Sequence, residues 1–174
     1  NLIKVQGRVI GHPTEQAALV MDLIDPSYRN LADLPSLASC TRDVYDPATR
    51  FSLEVALRMA RGIACVAAHL HRHGITHGDL YGHNILCNAE GDCLLGDFGA
   101  ASFHATADTL ETRALQRIEV RAFGVLLGEL LERINEGVSD EQRQVLEALR
   151  DSCCQPQVLT RPAFQEIETL LSSL

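Results

Sequence analysis

The chain has 174 residues, of which 46% are hydrophobic and 22% are charged, so its length and composition fit one globular domain with a core of its own. A formal net charge of −8 without a basic stripe argues against a nucleic-acid surface. No apolar run approaches the roughly 18 residues that span a bilayer, and the first residues lack a signal-peptide pattern, so we expect a cytoplasmic protein with no membrane partner. The cysteines fall in no C-x-x-C pattern and are expected to be reduced.

The first predicted element is a β-hairpin. Apolar and polar residues alternate from Leu2 to Ile10, and the turn-forming segment Gly11 to Pro13 follows. A second apolar run extends from Ala17 to Ile24 and ends at Asp25-Pro26. Two short runs of this kind around a turn are typical of paired antiparallel strands.

A long helix is the next strong prediction, after a short helix expected over residues 30–41. Ser52 is a suitable N-cap, and Glu54 lies in the first helical turn. Apolar residues then recur at three- and four-residue steps and end near His73-Gly74, so they form one buried stripe. These residues are Leu53, Leu57, Ala60, Ile63, Ala64, Ala67 and Leu70.

A second hairpin follows the long helix. Ile85 to Cys87 and Cys93 to Leu95 read as strands, and the intervening Asn88 to Asp92 has turn chemistry. Asn84 and Asp97 bracket this hairpin. Because strand pairing brings its two ends together, these residues can share a metal site.

The C-terminal part is predicted to be helical. An apolar helix extends from Glu119 to Arg133 and ends at Asn135 to Gly137, and a further helix starts at Ser139 to Glu141. Arg161 to Phe164 opens the last helix, with its proline suited to the first turn.

The richest chemistry lies in two segments, His-Gly-Asp-Leu-Tyr-Gly-His-Asn from His77 and Gly-Asp-Phe-Gly from Gly96. Asp79 can orient an attacking hydroxyl. Asn84 and Asp97 can hold Mg²⁺, which prefers hard oxygen ligands and borrows others from nucleotide phosphates.

These segments resemble the catalytic loop H-R-D-L-x-x-x-N and the D-F-G of the protein kinases. Residues 119–127 are similar to the kinase segment D-V-W-S-F-G-V-L-L, with Glu119 in place of its aspartate, and Arg-Pro-x-Phe near the end also matches. The resemblance implies a mainly α fold. Residues 25–174 would be a kinase-like C-terminal lobe with a catalytic-loop hairpin, and residues 1–24 a residual N-lobe hairpin and hinge of a divergent, bacterial-like serine/threonine kinase.

The resemblance also implies the cofactors ATP and Mg²⁺ and a role for each site residue. Asp79 would align the substrate hydroxyl, and Asn84 and Asp97 would be the metal ligands. Asp22 and Ile24 would lie in the hinge that binds the adenine edge, and Leu86 would lie under the adenine ring. In the family the histidine that matches His77 packs against the D-F-G phenylalanine, here Phe98.

Several positions depart from the family pattern. Tyr81 stands where serine/threonine kinases carry a lysine that contacts the γ-phosphate, and a phenol brings no positive charge. His83 is either a compensating cation or an ordinary surface histidine. Gly78 replaces the arginine that pairs with a phosphorylated activation loop, and residues 100–117 contain no Ala-Pro-Glu.

Three functions therefore stay open. The first is the C-lobe of an ATP-dependent serine/threonine protein kinase, and the second is a pseudokinase or half-kinase module that binds partners. The third is a small-molecule phosphotransferase of the aminoglycoside or choline kinase type, whose catalytic loops resemble His-Gly-Asp-Leu. Because the resemblance implies a glycine-rich loop and a lysine strand before Asn1, we expect this chain to be a fragment. Its partners would be ATP, a protein or small hydroxyl substrate, and the N-lobe of the same polypeptide.

Overall fold

The computed structural model describes residues 1–38 and 42–174. Cys40 and the end of the short helix expected over residues 30–41 lie outside the described residues. Within the described residues, four α-helices and several short strands follow in this order: β1 (Val5–Arg8), β2 (Leu19–Met21), β3 (Arg29–Asn30), β4 (Phe51–Ser52), α1 (Leu53–Arg72), β5 (Ile75–Thr76), β6 (Ile85–Cys87), β7 (Cys93–Leu95), β8 (Ser102–Phe103), α2 (Leu110–Leu131), β9 (Ile134–Glu136), α3 (Asp140–Cys153) and α4 (Phe164–Ser172). The prediction of a mainly helical fold is confirmed.

The opening hairpin forms as the sequence predicts. Strands β1 and β2 are antiparallel, with Val5 opposite Met21 and Arg8 opposite Leu19. Its apolar side chains are open to solvent, and Leu19 is 58% exposed. The chain start is tied to the rest of the fold, because the N–H of Leu95 donates to the carbonyl of Asn1 at 2.9 Å.

Helix α1 is the central element of the core. The hydroxyl of Ser52 accepts from the N–H of Val55 at 3.3 Å, so the predicted cap is present. The helix ends at Arg72 with His73 as its C-cap, and Gly74, with a φ of +70°, occupies the next position, where glycine is favoured. Its apolar stripe contacts α4 and α2. Fully buried side chains, each under 2% exposed, include Ile63, Phe123, Leu126, Phe164 and Ile167.

The short helix predicted over residues 30–41 is wrong for the described part. Arg29 and Asn30 instead form strand β3, which pairs with β6, and the N–H of Leu31 donates to the carbonyl of Ile85 at 2.8 Å. Pro35 also disfavours helix at the residue before it. The backbone groups of this segment therefore bond to a sheet. The predicted β6–β7 hairpin is confirmed, with Cys87 opposite Cys93 and both thiols free.

Helix α2 begins nine residues before the predicted Glu119, at Leu110. The hydroxyl of Thr109 accepts from the N–H of Thr112 at 3.1 Å and so caps this earlier start. Beyond α2, the segment expected to be only a helix end forms strand β9, which pairs in parallel with β4. This pairing joins residues more than 80 positions apart, so no local pattern announces it.

The last two helices start near their predicted positions. The hydroxyl of Ser139 caps α3 and the Gln142 side chain reaches back to the Ser139 N–H, which makes a capping box. Helix α4 has Ala163 as its N-cap, so Pro162 precedes the helix and the prediction of proline in the first turn is wrong. None of the helices in residues 1–38 and 42–174 combines the length and the apolar character needed to cross a membrane.

Candidate active site

The polar centre of the molecule is the segment from His77 to Asn84, which connects β5 to β6 and is called the central loop below. The His77 ring is fully buried, and its Nε2–H donates to the carbonyl of Gly96 at 2.7 Å. Its Nδ1 accepts from the N–H of Asp79 at 3.3 Å. The ring also meets Phe98 edge-on, with centroids 4.8 Å apart. His77 therefore shapes the loop and joins it to the Gly96–Phe98 segment.

Asp79 and Asn84 are in direct contact. The Nδ2 of Asn84 donates to Oδ2 and to the backbone carbonyl of Asp79, each at 2.9 Å. These two bonds orient both side chains: the amide oxygen of Asn84 points away from Asp79, and the second carboxylate oxygen of Asp79 makes no hydrogen bond with the described residues. Asp79 is half-buried.

Asp97 lies directly after the strand that ends the hairpin. The N–H of its neighbour Gly96 donates to the carbonyl of Asn84 at 2.9 Å, so strand pairing brings Asp97 to the end of the central loop. Its φ of 49° is in the left-handed region, which aspartate tolerates better than most residues do, and its Oδ1 accepts from the N–H of Gly99 at 3.1 Å. The carboxylate itself is exposed.

The oxygens left at this point fit Mg²⁺. Asn84 has its amide oxygen, and Asp97 has Oδ2, neither of which is used by a hydrogen bond among the described residues. Hard oxygen donors of this kind suit Mg²⁺, which keeps several waters or phosphate oxygens in its octahedral shell. Within residues 1–38 and 42–174 no group of three or more His, Cys, Asp or Glu side chains could hold a metal by itself.

The start of the central loop is held by a buried carboxylate. Glu119 of α2 accepts from the N–H of Gly78 at 2.8 Å and from Nε2 of His71 at 2.7 Å. Gly78 has a φ of +80°, and a Cβ at this position would collide with the carbonyl oxygen of Ala100. Glycine therefore replaces arginine here for a steric reason.

The end of the central loop is held by Asp43, whose side chain is fully buried. It accepts from the N–H groups of Gly82 and His83 at 2.9 and 3.1 Å and from Nδ1 of His83 at 2.6 Å. The His83 side chain is only 10% exposed. The alternative that His83 is an ordinary surface histidine is therefore wrong, because the bond to Asp43 holds the ring inside the fold.

Arg42 contacts the middle of the same loop. Its guanidinium lies 3.9 Å from the centroid of the Tyr81 ring, and its Nη2 donates to the carbonyl of Leu80 at 3.0 Å. Sequence reasoning missed both Arg42 and Asp43. They lie in a loop about 40 residues before their partners and form no motif, so the pattern carries no signal for them.

Asp22, Ile24 and Leu86, the residues expected to contact the nucleotide, are less closely connected to the central loop than Asp97 is. Leu86 is in β6, half-buried, two residues after Asn84. Asp22 is exposed, and its N–H donates to the carbonyl of Lys4 at 2.9 Å. The backbone N–H and carbonyl of Ile24 make no hydrogen bond with the described residues. No hydrogen bond or ion pair in the described part of the chain connects Asp22 or Ile24 to Asp79, Asn84 or Asp97.

A groove of 220 Å³ lies beside the central loop. Gly78, Leu80 and Tyr81 form one wall, and Leu115 and Ile118 of α2 form the other. These two α2 side chains are 43% and 58% exposed. The connection between the Phe98–Ala100 turn and α2 has nine residues, 101–109, and includes strand β8.

Comparisons with known proteins agree with this arrangement. The family model "Protein kinase domain" matches residues 13–119, which is more than half of the chain. Protein kinase C epsilon type of Oryctolagus cuniculus is 27% identical over 163 residues, which cover 83% of this chain and 21% of that protein.

Two further relatives cover less of the chain. The serine/threonine-protein kinase US3 homolog of Bovine herpesvirus 1.2 (strain ST) is 33% identical over 96 residues, 46% of this chain and 21% of its own length. The calmodulin-binding receptor kinase CaMRLK of Arabidopsis thaliana is 36% identical over 93 residues, 52% of this chain and 14% of its own length. The chain spans about a fifth or less of these curated relatives. With the family model matched across the central loop and the Asp-Phe-Gly turn, the chain belongs to the protein kinase domain family.

Proposed function

We propose that this chain is the catalytic part of an ATP-dependent protein kinase that transfers the γ-phosphoryl group of Mg²⁺-ATP to a serine or threonine hydroxyl. The observation that carries the proposal is the connection of Asp79, Asn84 and Asp97. Asn84 bonds the Asp79 side chain, and its backbone carbonyl accepts from the residue before Asp97. Membership of the kinase family and the serine/threonine-protein kinase among its relatives support the substrate class.

In this proposal Asp79 binds the acceptor hydroxyl of the substrate. Its Oδ2 is occupied by the Asn84 amide, so its other carboxylate oxygen is left to align the hydroxyl and to accept its proton. The bond to His77 and the contacts of Asn84 fix the backbone and the side chain of Asp79, and positioning of this kind accounts for most of phosphoryl-transfer catalysis.

Asn84 and Asp97 would hold the metal through the oxygens that hydrogen bonds leave open. When bound, Mg²⁺-ATP supplies the transferable phosphoryl group and a cation that offsets the charge of its oxygens. Asp97 is held by its own Gly99 bond, and Asn84 by Asp79. These two residues therefore present oxygens from two sides of one hairpin end.

In this proposal residues 1–24 are the end of an N-terminal lobe with the hinge at Asp22 and Ile24, and residues 25–174 are the C-terminal lobe. The exposed apolar side chains of the opening hairpin support the assignment, because a sheet of two strands is marginal unless other elements cover it. The rest of that lobe, in the same polypeptide, would cover the nucleotide. The free thiols of this chain suit the reducing cytoplasm, where we expect the protein to act.

A second candidate is transfer to a small hydroxyl compound. The nine-residue connection between the Phe98–Ala100 turn and α2 favours it, because it offers little chain for a peptide platform. A binding module without catalysis is the remaining alternative.

Phosphate transfer by the full-length protein distinguishes these functions. The protein is incubated with Mg²⁺ and γ-labelled ATP, together with serine/threonine peptides, tyrosine peptides or small polyols and amino alcohols. Labelled serine or threonine is the expected product, whereas label in a small hydroxyl compound alone would establish the second candidate. Asp97→Asn should weaken Mg²⁺-ATP binding and turnover together, with partial recovery at raised Mg²⁺. If the wild type transfers phosphate to no acceptor, the chain is assigned to the remaining alternative, a binding module without catalysis.

A further inference from the structure

The site described so far contains acids but little positive charge. Asp79 and Asp97 stand at the reacting end, and the residue two positions after Asp79 is the uncharged Tyr81. The transferred phosphoryl group carries negative charge on its equatorial oxygens, and fixed cations near those oxygens are a main source of rate acceleration. The chain contains a single lysine, Lys4, in the segment that leads into β1. Among the described residues, Arg42 contacts the central loop with a permanently charged side chain.

Arg42 is the arginine that the fold brings to this loop. Its Nη2 bonds the carbonyl of Leu80, the residue directly after Asp79, and its guanidinium covers the face of Tyr81. An attacking hydroxyl on Asp79 must lie about 3–3.5 Å from the phosphorus in a reactive complex. The Arg42 guanidinium is therefore bonded to the same loop that would hold the reacting groups.

The hydrogen bonding of Arg42 is also incomplete. Its Nε is buried and has no hydrogen-bond partner in the described part of the chain. This Nε forms an ion pair with a carboxylate oxygen of Glu129 at 3.8 Å, a distance too long for a hydrogen bond, and Glu129 also accepts from the Tyr45 hydroxyl at 3.0 Å. A buried donor without an acceptor costs stability. The Arg42 side chain as a whole is 26% exposed and lines the groove beside the central loop, so its other N–H donors are accessible to a ligand.

We propose that Arg42 is a catalytic residue whose guanidinium contacts the terminal phosphate of the bound nucleotide and replaces the charge that Tyr81 does not supply. The inference rests on the proposed function and deepens it. Tyr81 then acts as a platform: its ring face holds the guanidinium flat beside the loop, and the Leu80 carbonyl fixes its rotation. A guanidinium has five N–H donors, so these contacts leave donors for phosphate oxygens.

Arg133 provides a matched control. It stacks on Tyr45 with its guanidinium 3.7 Å from the ring centroid, and it donates to the carbonyl of Glu129 at 2.7 Å. None of its contacts in the described residues reaches the central loop. Arg133→Gln therefore removes a stacked arginine of the same kind without touching the proposed phosphate contact.

The test uses nucleotide affinity and turnover of the full-length protein. A cation on the terminal phosphate favours an ATP analogue over ADP, so Arg42→Gln should weaken binding of a non-hydrolysable Mg²⁺-ATP analogue at least about fivefold more than binding of Mg²⁺-ADP. It should also lower kcat by about 100-fold, in the range of other single charge-stabilising groups. Arg42→Lys should keep part of the preference for the ATP analogue and part of kcat. Arg133→Gln should change neither the affinity ratio nor kcat by more than about twofold.

A double variant tests the role of the charge itself, because it places a lysine at Tyr81, the residue on which Arg42 stacks. Tyr81→Lys added to Arg42→Gln should recover at least about tenfold in kcat, which a purely structural role of Arg42 would not allow. An analogue-to-ADP affinity ratio that stays within twofold in Arg42→Gln would overturn the inference, as would a kcat that Tyr81→Lys leaves unrestored. If the wild type transfers no phosphate, the proposed function fails, and the affinity ratio alone decides whether Arg42 contacts the terminal phosphate.

Discussion

The buried Glu119 carboxylate bonds the start of the central loop to α2. The effect of its removal on the free energy of unfolding can be estimated from its two hydrogen bonds. Its side chain is 4% exposed and that of His71 is 2% exposed. It accepts from the Gly78 N–H at 2.8 Å and from His71 Nε2 at 2.7 Å. A hydrogen bond to a charged group contributes about 1.5–3 kcal/mol, and removal of one partner leaves the other buried without an acceptor.

Glu119→Ala should therefore lower the free energy of unfolding by about 3–5 kcal/mol. Glu119→Gln keeps one oxygen for one of the two donors and should lose about half as much. Urea unfolding followed by circular dichroism measures both changes from the midpoint and the slope. Glu132→Ala is the control, because Glu132 is 77% exposed and pairs with Arg133 only at the surface, so we expect a change within about 1 kcal/mol.

A loss of less than about 1 kcal/mol in Glu119→Ala would refute this reasoning. It would mean that the Gly78 N–H and the His71 ring find other partners when the carboxylate is removed, and that the central loop does not depend on α2 for its position. An equal loss in Glu132→Ala would show that the effect belongs to the helix as a whole.

Two further predictions concern the loop backbone and the thiols. Gly78→Ala should lower the free energy of unfolding by more than about 1 kcal/mol, because φ is +80° and the new Cβ meets the Ala100 carbonyl, and thermal unfolding would show no change if the loop could adjust. Burial raises the pKa of the Cys87 thiol to about 11 from an ordinary value near 9, so iodoacetamide at pH 8 should label Cys87 about 100-fold more slowly in the folded protein than in the urea-unfolded protein, as peptide mass spectrometry can measure. The raised pKa favours the protonated thiol in the folded state, so the stability it contributes is complete below pH 9 and is lost as the pH rises through 11. Equal labelling rates of Cys87 in the folded and the unfolded protein would contradict its burial.

Local patterns predicted the elements that depend on local physics. The 3.6-residue apolar period gave α1, the alternating pattern gave the β1–β2 hairpin, and the capping residues Ser52 and Ser139 marked two helix starts. The spacing of Asn84 and Asp97 around a hairpin also predicted that their chain segments meet, which the bond between Asn84 and Gly96 confirms. Their roles with nucleotide and metal stay predictions.

Contacts between distant segments could not be predicted in the same way. Arg42 and Asp43 are a basic and an acidic residue in a loop without periodicity, and their contacts with Leu80 to His83 exist only after the chain has folded. The start of α2 at Leu110 was missed because the divergent stretch was compared with a longer family segment. The cap at Thr109 was the local signal that could have located it.

The most direct test of the central claim is single-turnover phosphate transfer by Asp79→Asn in the full-length protein, measured beside the dissociation constant of Mg²⁺-ATP. Because Asp79 meets the acceptor hydroxyl rather than the nucleotide, the account predicts a loss of about 10²–10⁴-fold in the transfer rate, typical of a positioned acid–base group. The dissociation constant should change by less than about threefold. A variant that transfers phosphate at the wild-type rate to every acceptor would contradict the account.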